Sequence, residues 1–164
     1  RQSGEVQRYT TQQGFTIGFR RRFDIRFFQP REDEPVNVVS RPGSLVDCRR
    51  LRPAGWNKGD RRPCFVSFFG GGWSSGSPER SISWAKWAAG LGLVGVAPDY
   101  RTRNRFGTSP EDCVSDARAA VSWIEAHAQE LGIDPKKIIA LGSSAGGHVA
   151  AWTAIPGPGK AKGA

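Results

Sequence analysis

The chain of 164 residues lacks methionine, has three cysteines and contains no apolar run long enough to span a membrane. Cys48, Cys64 and Cys113 show no C-x-x-C spacing and no paired histidine, which argues against a zinc site. We therefore predict no metal, no cofactor and no membrane span, and interpret Cys64 and Cys113 as buried thiols. Because the sequence starts at Arg1 without a methionine, we expect a fragment or a processed form and leave its compartment open.

Negative charge is scarce at the beginning of the chain. Residues 1–62 hold 14 Lys and Arg against 7 Asp and Glu, whereas residues 63–164 hold 10 against 8. We interpret this excess as a solvated arginine-rich surface and expect no nucleic-acid partner, because no nucleic-acid motif accompanies it. A basic nucleic-acid binder stays the alternative, which a steep salt dependence of DNA or RNA binding would reveal.

The apolar pattern divides the chain into four parts that we assign to one incomplete domain. Alternating apolar residues predict N-terminal strands within 1–30, over about 15–19 and 23–27. Residues 31–62 are polar and rich in arginine and proline, which predicts a basic surface connection. Residues 63–155 form the predicted core, and 156–164 read as a flexible tail without a packing signal.

The predicted core alternates strands with helices. Dense apolar runs predict strands over 64–69, 93–97 and 137–141, each bounded by glycine or proline. Helices are predicted over 77–89, from Ser109 to Gly132, and over about 145–155. This order favours an α/β fold, a three-layer αβα sandwich with a mostly parallel sheet.

The sequence Gly142-x-Ser144-x-Gly146 follows an apolar run and precedes small residues that can begin a helix. This strand–turn–helix context is typical of a nucleophile elbow, in which a serine hydroxyl is exposed above the end of a sheet. We predict Ser144 as the nucleophile and the N–H of Ala145 as an oxyanion donor. The simpler interpretation is a glycine- and serine-rich turn.

A second glycine motif, Phe69-Gly70-Gly71-Gly72-Trp73, also lies between a predicted strand and a predicted helix. Glycines let backbone N–H groups turn towards a ligand, and we predict Gly71 and Gly72 as further oxyanion donors. The simpler interpretation is a flexible loop. A phosphate-binding loop is excluded, because Ser77 stands where its lysine must be.

Four motifs occur in the order found in α/β-hydrolase esterases. They are 69–73, Ala97-Pro98-Asp99-Tyr100-Arg101, Gly132-Ile133-Asp134-Pro135 and 142–148. Over about residues 62–152 the chain resembles the hormone-sensitive-lipase-like and feruloyl or acetyl-xylan esterase-like group. The resemblance implies the same roles for Ser144, Gly71, Gly72 and Ala145. It departs at Phe69, where such enzymes usually carry a histidine that supports the loop.

The sequence lacks the partners that a serine nucleophile needs. No Asp or Glu follows Ser144, and we interpret the single later histidine, His148, as a packing or hydrogen-bonding residue. His127 is predicted on the surface. We therefore expect a truncated serine carboxylesterase for small acyl or aryl esters, with its acid and base missing and little activity alone.

Two further expectations follow from this reading of the sequence. The alternative function is a non-catalytic member of the fold that binds a ligand or a partner. Truncation after the elbow helix would leave the strand over 137–141 at an open sheet edge, which predicts marginal stability and self-association.

Overall fold

The computed structural model describes the backbone of residues 7–10, 16–19, 31–32, 36–41 and 44–155, and the side chains of 48–155. The strand predicted over 23–27 and the tail predicted over 156–164 lie outside these residues. Across the part of the chain that is described, no helix is both long enough and apolar enough to cross a membrane.

The described residues form eight strands and five α-helices. The strands are β1 (Gln7–Thr10), β2 (Thr16–Phe19), β3 (Arg31–Glu32), β4 (Val36–Arg41), β5 (Ser44–Arg52), β6 (Arg62–Phe68), β7 (Val94–Pro98) and β8 (Ile133–Gly142). The helices are α1 (Ile82–Gly90), α2 (Arg103–Phe106), α3 (Pro110–Ala126), α4 (Ala128–Leu131) and α5 (Ala145–Ala154), with a 3-10 helix at Pro78–Arg80.

Six strands form one mixed sheet in the order β3-β5-β7-β6-β8, with β4 also paired to β5. β6 lies at the centre of the parallel part, where Cys64 is opposite Val94 of β7 and Ile138 of β8. β5 runs antiparallel to β7, while β1 and β2 form a separate antiparallel pair. The α/β prediction is therefore confirmed, and the strands before β6 add an antiparallel side.

Helices cover both faces of this sheet. Val94 and Val96 of β7 pack in a buried cluster with residues of α3 and α5, whereas Ala97 of the same strand packs with Ala85 and Ala89 of α1. Neighbouring residues of a strand point to opposite faces. The elbow helix α5 and helix α1 consequently lie on opposite sides of the sheet, as the predicted αβα sandwich requires.

The prediction of a surface connection over 31–62 is wrong for β3, β4 and β5. β5 joins the sheet beside β7, with Cys48 opposite Pro98. Cys48 and Leu51 are almost fully buried but lie an odd number of residues apart, so they face opposite sides of the sheet. Cys48 and Leu51 therefore do not form the period-2 apolar pattern that predicts a strand, and the arginines beside them make the segment read as polar.

The helix predicted to reach Gly132 is divided at His127, whose φ of −103° and ψ of 18° end α3 and precede the short α4. Its predicted start is confirmed, since Ser109 forms a capping box with Asp112. The last strand begins at Ile133, four residues earlier than the pattern indicates, because Ile133 already pairs with Arg62 across a local shift in register.

Candidate active site

Ser144 occupies the turn between the end of β8 at Gly142 and the start of α5 at Ala145. Its φ of 52° and ψ of −121° lie in a region that non-glycine residues rarely adopt. Such a conformation costs about 1–3 kcal/mol and persists only where the surroundings enforce it. The side chain of Ser144 is exposed. This geometry is the strained, accessible turn that the sequence pattern predicts.

Close backbone packing enforces the turn. A Cβ on Gly146 would lie 2.3 Å from the carbonyl oxygen of Phe68 and 2.5 Å from that of Phe69. Glycine therefore allows the first turn of α5 to rest directly on the end of β6. Phe68 and Phe69 are followed directly by Gly70, so the contact of Gly146 with them positions both the elbow and the second glycine motif.

The glycine loop, residues 70–73, lies against the elbow. A Cβ on Gly70 would be 2.7 Å from the carbonyl oxygen of Ser143 and 3.5 Å from the Cβ of Ser144. Gly71 and Gly72 follow with φ of 151° and 60°. The carbonyl of Gly71 accepts hydrogen bonds from the N–H groups of two following serines, which close the loop on itself. The two motifs, 70 residues apart, thus adjoin at one sheet edge.

Three backbone donors at this edge have no acceptor within the described segment 44–155. Along residues 44–155, the N–H groups of Gly71, Gly72 and Ala145 donate no hydrogen bond to another protein group. Backbone N–H groups fixed in position before the reaction are the usual means of stabilising the oxyanion of acyl transfer. The donors predicted from sequence are therefore uncommitted in the fold.

Phe69, at the start of the glycine motif, is supported by Tyr100. The two rings stack at 4.1 Å between centroids with 4° between their planes. The Tyr100 hydroxyl donates a 2.6 Å hydrogen bond to the carbonyl oxygen of Phe69. Burial, with smaller contributions from Cys113 and Asp99, raises the pKa of Tyr100, so its hydroxyl stays a donor. Sequence reasoning missed this support for the loop.

Arg101 anchors the segment that carries Tyr100. Its guanidinium donates to both carboxylate oxygens of Asp116, at 2.8 and 2.7 Å, and its backbone N–H donates a third bond at 3.0 Å. Asp116 has no exposed side-chain surface. The hydrogen bonds to Asp116 are the main cause of the raised pKa of Arg101. A buried ion pair on α3 thus holds the support of the glycine loop.

Both histidine rings contact tryptophans of the chain. The His148 ring lies between two indoles, with Trp73 Nε1 at 3.3 Å from Nδ1 and Trp152 Nε1 at 3.0 Å from Nε2. His127, predicted on the surface, is partly buried, stacks on Trp123 and has its Nδ1 2.8 Å from the carbonyl oxygen of that residue. The prediction of a hydrogen-bonding role for His148 agrees with these contacts.

All three cysteines are buried, as expected for Cys64 and Cys113. Burial raises the pKa of Cys64 to about 12 and is the main cause that raises the pKa of Cys113 to about 11. Protonated thiols are poor nucleophiles and poor ligands. Among the described residues, no cluster of three or more His, Cys, Asp or Glu could hold a metal ion.

A groove of about 640 Å³ runs beside β8, on the side of α3 and α5. Its lining includes Ile138 and Ala140 of the strand, Val121 of α3 and Ala150 of α5. Among the described residues β8 pairs with β6 alone. Along the described strands the sheet therefore ends at β8, next to the elbow, with a groove on one face that polar and apolar side chains line together.

Comparison with known proteins finds one matching family and several similar proteins of known name. The sequence profile of the BD-FAE family matches residues 54–160. An AB hydrolase superfamily protein of Schizosaccharomyces pombe is 38% identical over 113 residues, which are 66% of this chain and 31% of that protein. Carboxylesterase NlhH of Mycobacterium tuberculosis is 36% identical over 97 residues, 56% of this chain and 28% of NlhH.

Solved structures agree with these matches. The native Est2 esterase of Thermogutta terrifontis superposes with a TM-score of 0.70 at 44% identity, covering 72% of this chain and 42% of that chain. The same esterase phosphorylated by paraoxon gives a TM-score of 0.70 at 43% identity, covering 72% and 45%. The chain spans about a third of the length of the curated relatives that it matches.

Proposed function

We propose that this chain, which belongs to the BD-FAE family, carries the nucleophile and the oxyanion donors of a serine carboxylesterase. It shares the fold of α/β-hydrolase esterases. The observation that carries the proposal is the strained, exposed Ser144 beside a glycine loop whose backbone donors are uncommitted. Residues strained in this way cluster at active sites and ligand-binding sites.

In the proposed reaction the Ser144 Oγ attacks the ester carbonyl carbon as a general base takes its proton. The carbonyl oxygen becomes an oxyanion that accepts hydrogen bonds from the N–H groups of Gly71, Gly72 and Ala145. The C–O bond to the alcohol breaks, the alcohol leaves with the proton, and water then hydrolyses the acyl-serine. His148 is not the base in this proposal, since both of its ring nitrogens face indoles.

The proposed substrates are small acyl or aryl esters. Est2 of Thermogutta terrifontis has been solved with butyrate and with propionate bound, at 44% and 41% identity to this chain. An arylesterase of Saccharolobus solfataricus is 34% identical over 93 residues. Both relatives support a short acyl group or an aryl alcohol as the group that this site accepts.

Paraoxon tests the proposed nucleophile without requiring turnover. We expect slow phosphorylation of the 164-residue chain at Ser144, in which the Oγ–P bond forms and 4-nitrophenolate leaves. Added imidazole should accelerate the reaction by supplying a base. Peptide mass spectrometry then locates the phosphoryl group. Ser144→Ala should remove the modification, whereas the matched variant Ser143→Ala should retain it.

Two results would contradict the proposal. Modification that survives in Ser144→Ala would place the reactive group elsewhere. A parent chain that stays unmodified in paraoxon and imidazole, although it is folded, would favour a non-catalytic binding protein. Steady hydrolysis of 4-nitrophenyl acetate at triad-like rates would separately show that this chain contains its own base, because loss of a triad member leaves only about 10³–10⁴-fold catalysis over water.

We further propose that the chain associates with a second copy through β8. This strand ends the sheet among the described residues, and Ile139 and Leu141 on it are 49% and 36% exposed. An apolar strand with open backbone groups is a template for pairing with another strand. The proposed occupant is the same edge of a second chain in antiparallel register.

Size-exclusion chromatography with light scattering tests this association. We expect a dimer or larger species that Ile139→Lys returns to a monomer, because an edge lysine opposes strand pairing. Leu91→Lys, at a residue 40% exposed after α1, is the matched control and should leave the association unchanged. A monomeric parent with strongly protected amides over 138–141 would show that the edge is already closed.

A further inference from the structure

Trp73 adopts a conformation that needs an explanation. Among the residues with a described backbone, Trp73 and Ser144 are the two non-glycine residues at positive φ, with values of 59° and 52°. A bulky side chain is a clear outlier in this region and requires surrounding contacts that hold it there. One outlier lies on the elbow and the other at the end of the glycine loop, so the two strained residues belong to the same site.

Two contacts hold Trp73. Its carbonyl oxygen accepts a 3.0 Å hydrogen bond from the N–H of Arg103. Its indole Nε1 lies 3.3 Å from Nδ1 of His148, and the two rings meet edge to face with 5.3 Å between their centroids. His148 is one helical turn from Ser144, to whose carbonyl its own N–H donates. The indole–imidazole contact therefore links the glycine loop to the elbow helix through side chains.

A second indole competes for the same imidazole. Trp152 Nε1 lies 3.0 Å from Nε2 of His148, on the other side of the ring. An indole N–H is a donor only, and a neutral imidazole has one acceptor nitrogen and one N–H. The ring can therefore accept from only one tryptophan at a time, and the position of its proton decides which.

We propose that His148 is a positioning residue whose tautomer fastens or releases the glycine loop. With the proton on Nε2, the free Nδ1 accepts the N–H of Trp73 and ties the loop to α5. With the proton on Nδ1, Nε2 accepts the N–H of Trp152 instead, and the tie to the loop is lost. This inference rests on the proposed function only in assigning oxyanion donors to the loop that His148 positions.

Two matched variants separate the alternatives. Trp73→Phe and Trp152→Phe each remove one N–H that points at His148, but only Trp73 belongs to the glycine loop. Long-range ¹⁵N–¹H spectra of the full 164-residue chain at about pH 8.5 report which ring nitrogen carries the proton. We expect Trp73→Phe to shift His148 towards the Nδ1–H tautomer and Trp152→Phe to shift it towards the Nε2–H tautomer.

Amide exchange reports the effect on the loop. The N–H groups of Ser74 and Ser75 both donate to the carbonyl of Gly71 and become exchangeable when the loop opens. In Trp73→Phe their exchange should accelerate by about fivefold, the effect of losing one hydrogen bond. In Trp152→Phe it should stay the same or slow, because the competing donor is gone. A role in packing alone would not produce opposite tautomer shifts.

The inference is overturned if both variants leave the tautomer unchanged, or if Trp152→Phe loosens the loop as much as Trp73→Phe does. If Trp73→Phe fails to fold, the tautomer shift in Trp152→Phe decides the question alone. Neither measurement depends on ester chemistry. If paraoxon fails to modify Ser144 but the expected tautomer shifts occur, the esterase proposal is rejected and the role of His148 is retained. If paraoxon modifies Ser144 but the tautomer shifts are absent, the esterase proposal is retained and the role of His148 is rejected.

Discussion

Gly146→Ala is expected to destabilise the folded chain by about 3 kcal/mol or more, at or beyond the upper end of measured overpacking effects. The added Cβ would lie 2.3 and 2.5 Å from two carbonyl oxygens at the end of β6. Both are backbone atoms, one in the last residue of β6 and one in the residue after it, so a side-chain rotation cannot relieve the clash. Helix α5 would have to move away from the sheet, and the elbow with it.

Gly90→Ala is the matched control for this substitution. Gly90 also lies in a helix, at the end of α1, and a Cβ there would meet nothing within 4 Å. Alanine is intrinsically the better helix former by about 0.5–1 kcal/mol, a gain common to both sites. Urea unfolding should therefore show a large loss for Gly146→Ala and no loss for Gly90→Ala. Equal midpoints in the two variants would disprove the close packing of α5 on β6.

Arg101→Ala should cost about 3–5 kcal/mol, the typical effect of removing one partner from a buried ion pair. Asp116 would lose the two guanidinium bonds and keep only the backbone bond, with its carboxylate still excluded from water. The segment that carries Tyr100 would lose its anchor on α3. Because the Tyr100 hydroxyl supports the carbonyl of Phe69, the glycine loop should become less ordered as well.

Arg105→Ala provides the comparison for an exposed pair. Arg105 bonds the carboxylate of Asp99, and its side chain is 37% exposed. Solvent screens such a pair, so the expected loss is only about 0–1 kcal/mol. Thermal unfolding of the two variants, with amide exchange at Ser74 and Ser75 as the local readout, checks both effects. Equal losses for the two arginines would show that the Asp116 pair contributes no more than a surface contact.

The elbow was predictable from the sequence because its constraints are local. The end of β8, the turn and the start of α5 follow one another directly, and Gly142 and Gly146, which the packing requires, stand in the same short motif. Gly146 illustrates this, since the glycine that the pattern needs is the one that touches β6. The second glycine motif could be paired with the first because parallel strands place their carboxyl ends at the same edge of a sheet.

The antiparallel side of the sheet could not be predicted in the same way. β5 is stabilised by backbone bonds to β7, and the pairing of Cys48 with Pro98 joins residues far apart in the chain. Cys48 and Leu51, the two residues buried over 48–52, face opposite sides, and arginines occupy the positions between them. Ladder bonds do not depend on side-chain type, so a strand can exist without the apolar alternation that reveals one.

The side-chain contacts that position the glycine loop could not be predicted from the sequence either. The replacement of histidine by Phe69 was apparent, but its partner Tyr100 lies 31 residues later, and only the fold brings their rings together. The sequence indicates a packing or hydrogen-bonding role for His148 but not its partners. Its contacts come from the glycine loop on one side and from the next turn of α5 on the other.

The central claim is that Ser144 attacks an ester while the glycine loop and the elbow stabilise the oxyanion. A crystal structure of the paraoxon-treated chain tests it most directly, because the phosphoryl oxygen occupies the place of the oxyanion. The account predicts phosphorus bonded to Ser144 Oγ, with the phosphoryl oxygen within about 2.7–3.1 Å of the N–H groups of Gly71, Gly72 and Ala145. An adduct on another residue, or a phosphoryl oxygen directed to solvent away from these three donors, would contradict it.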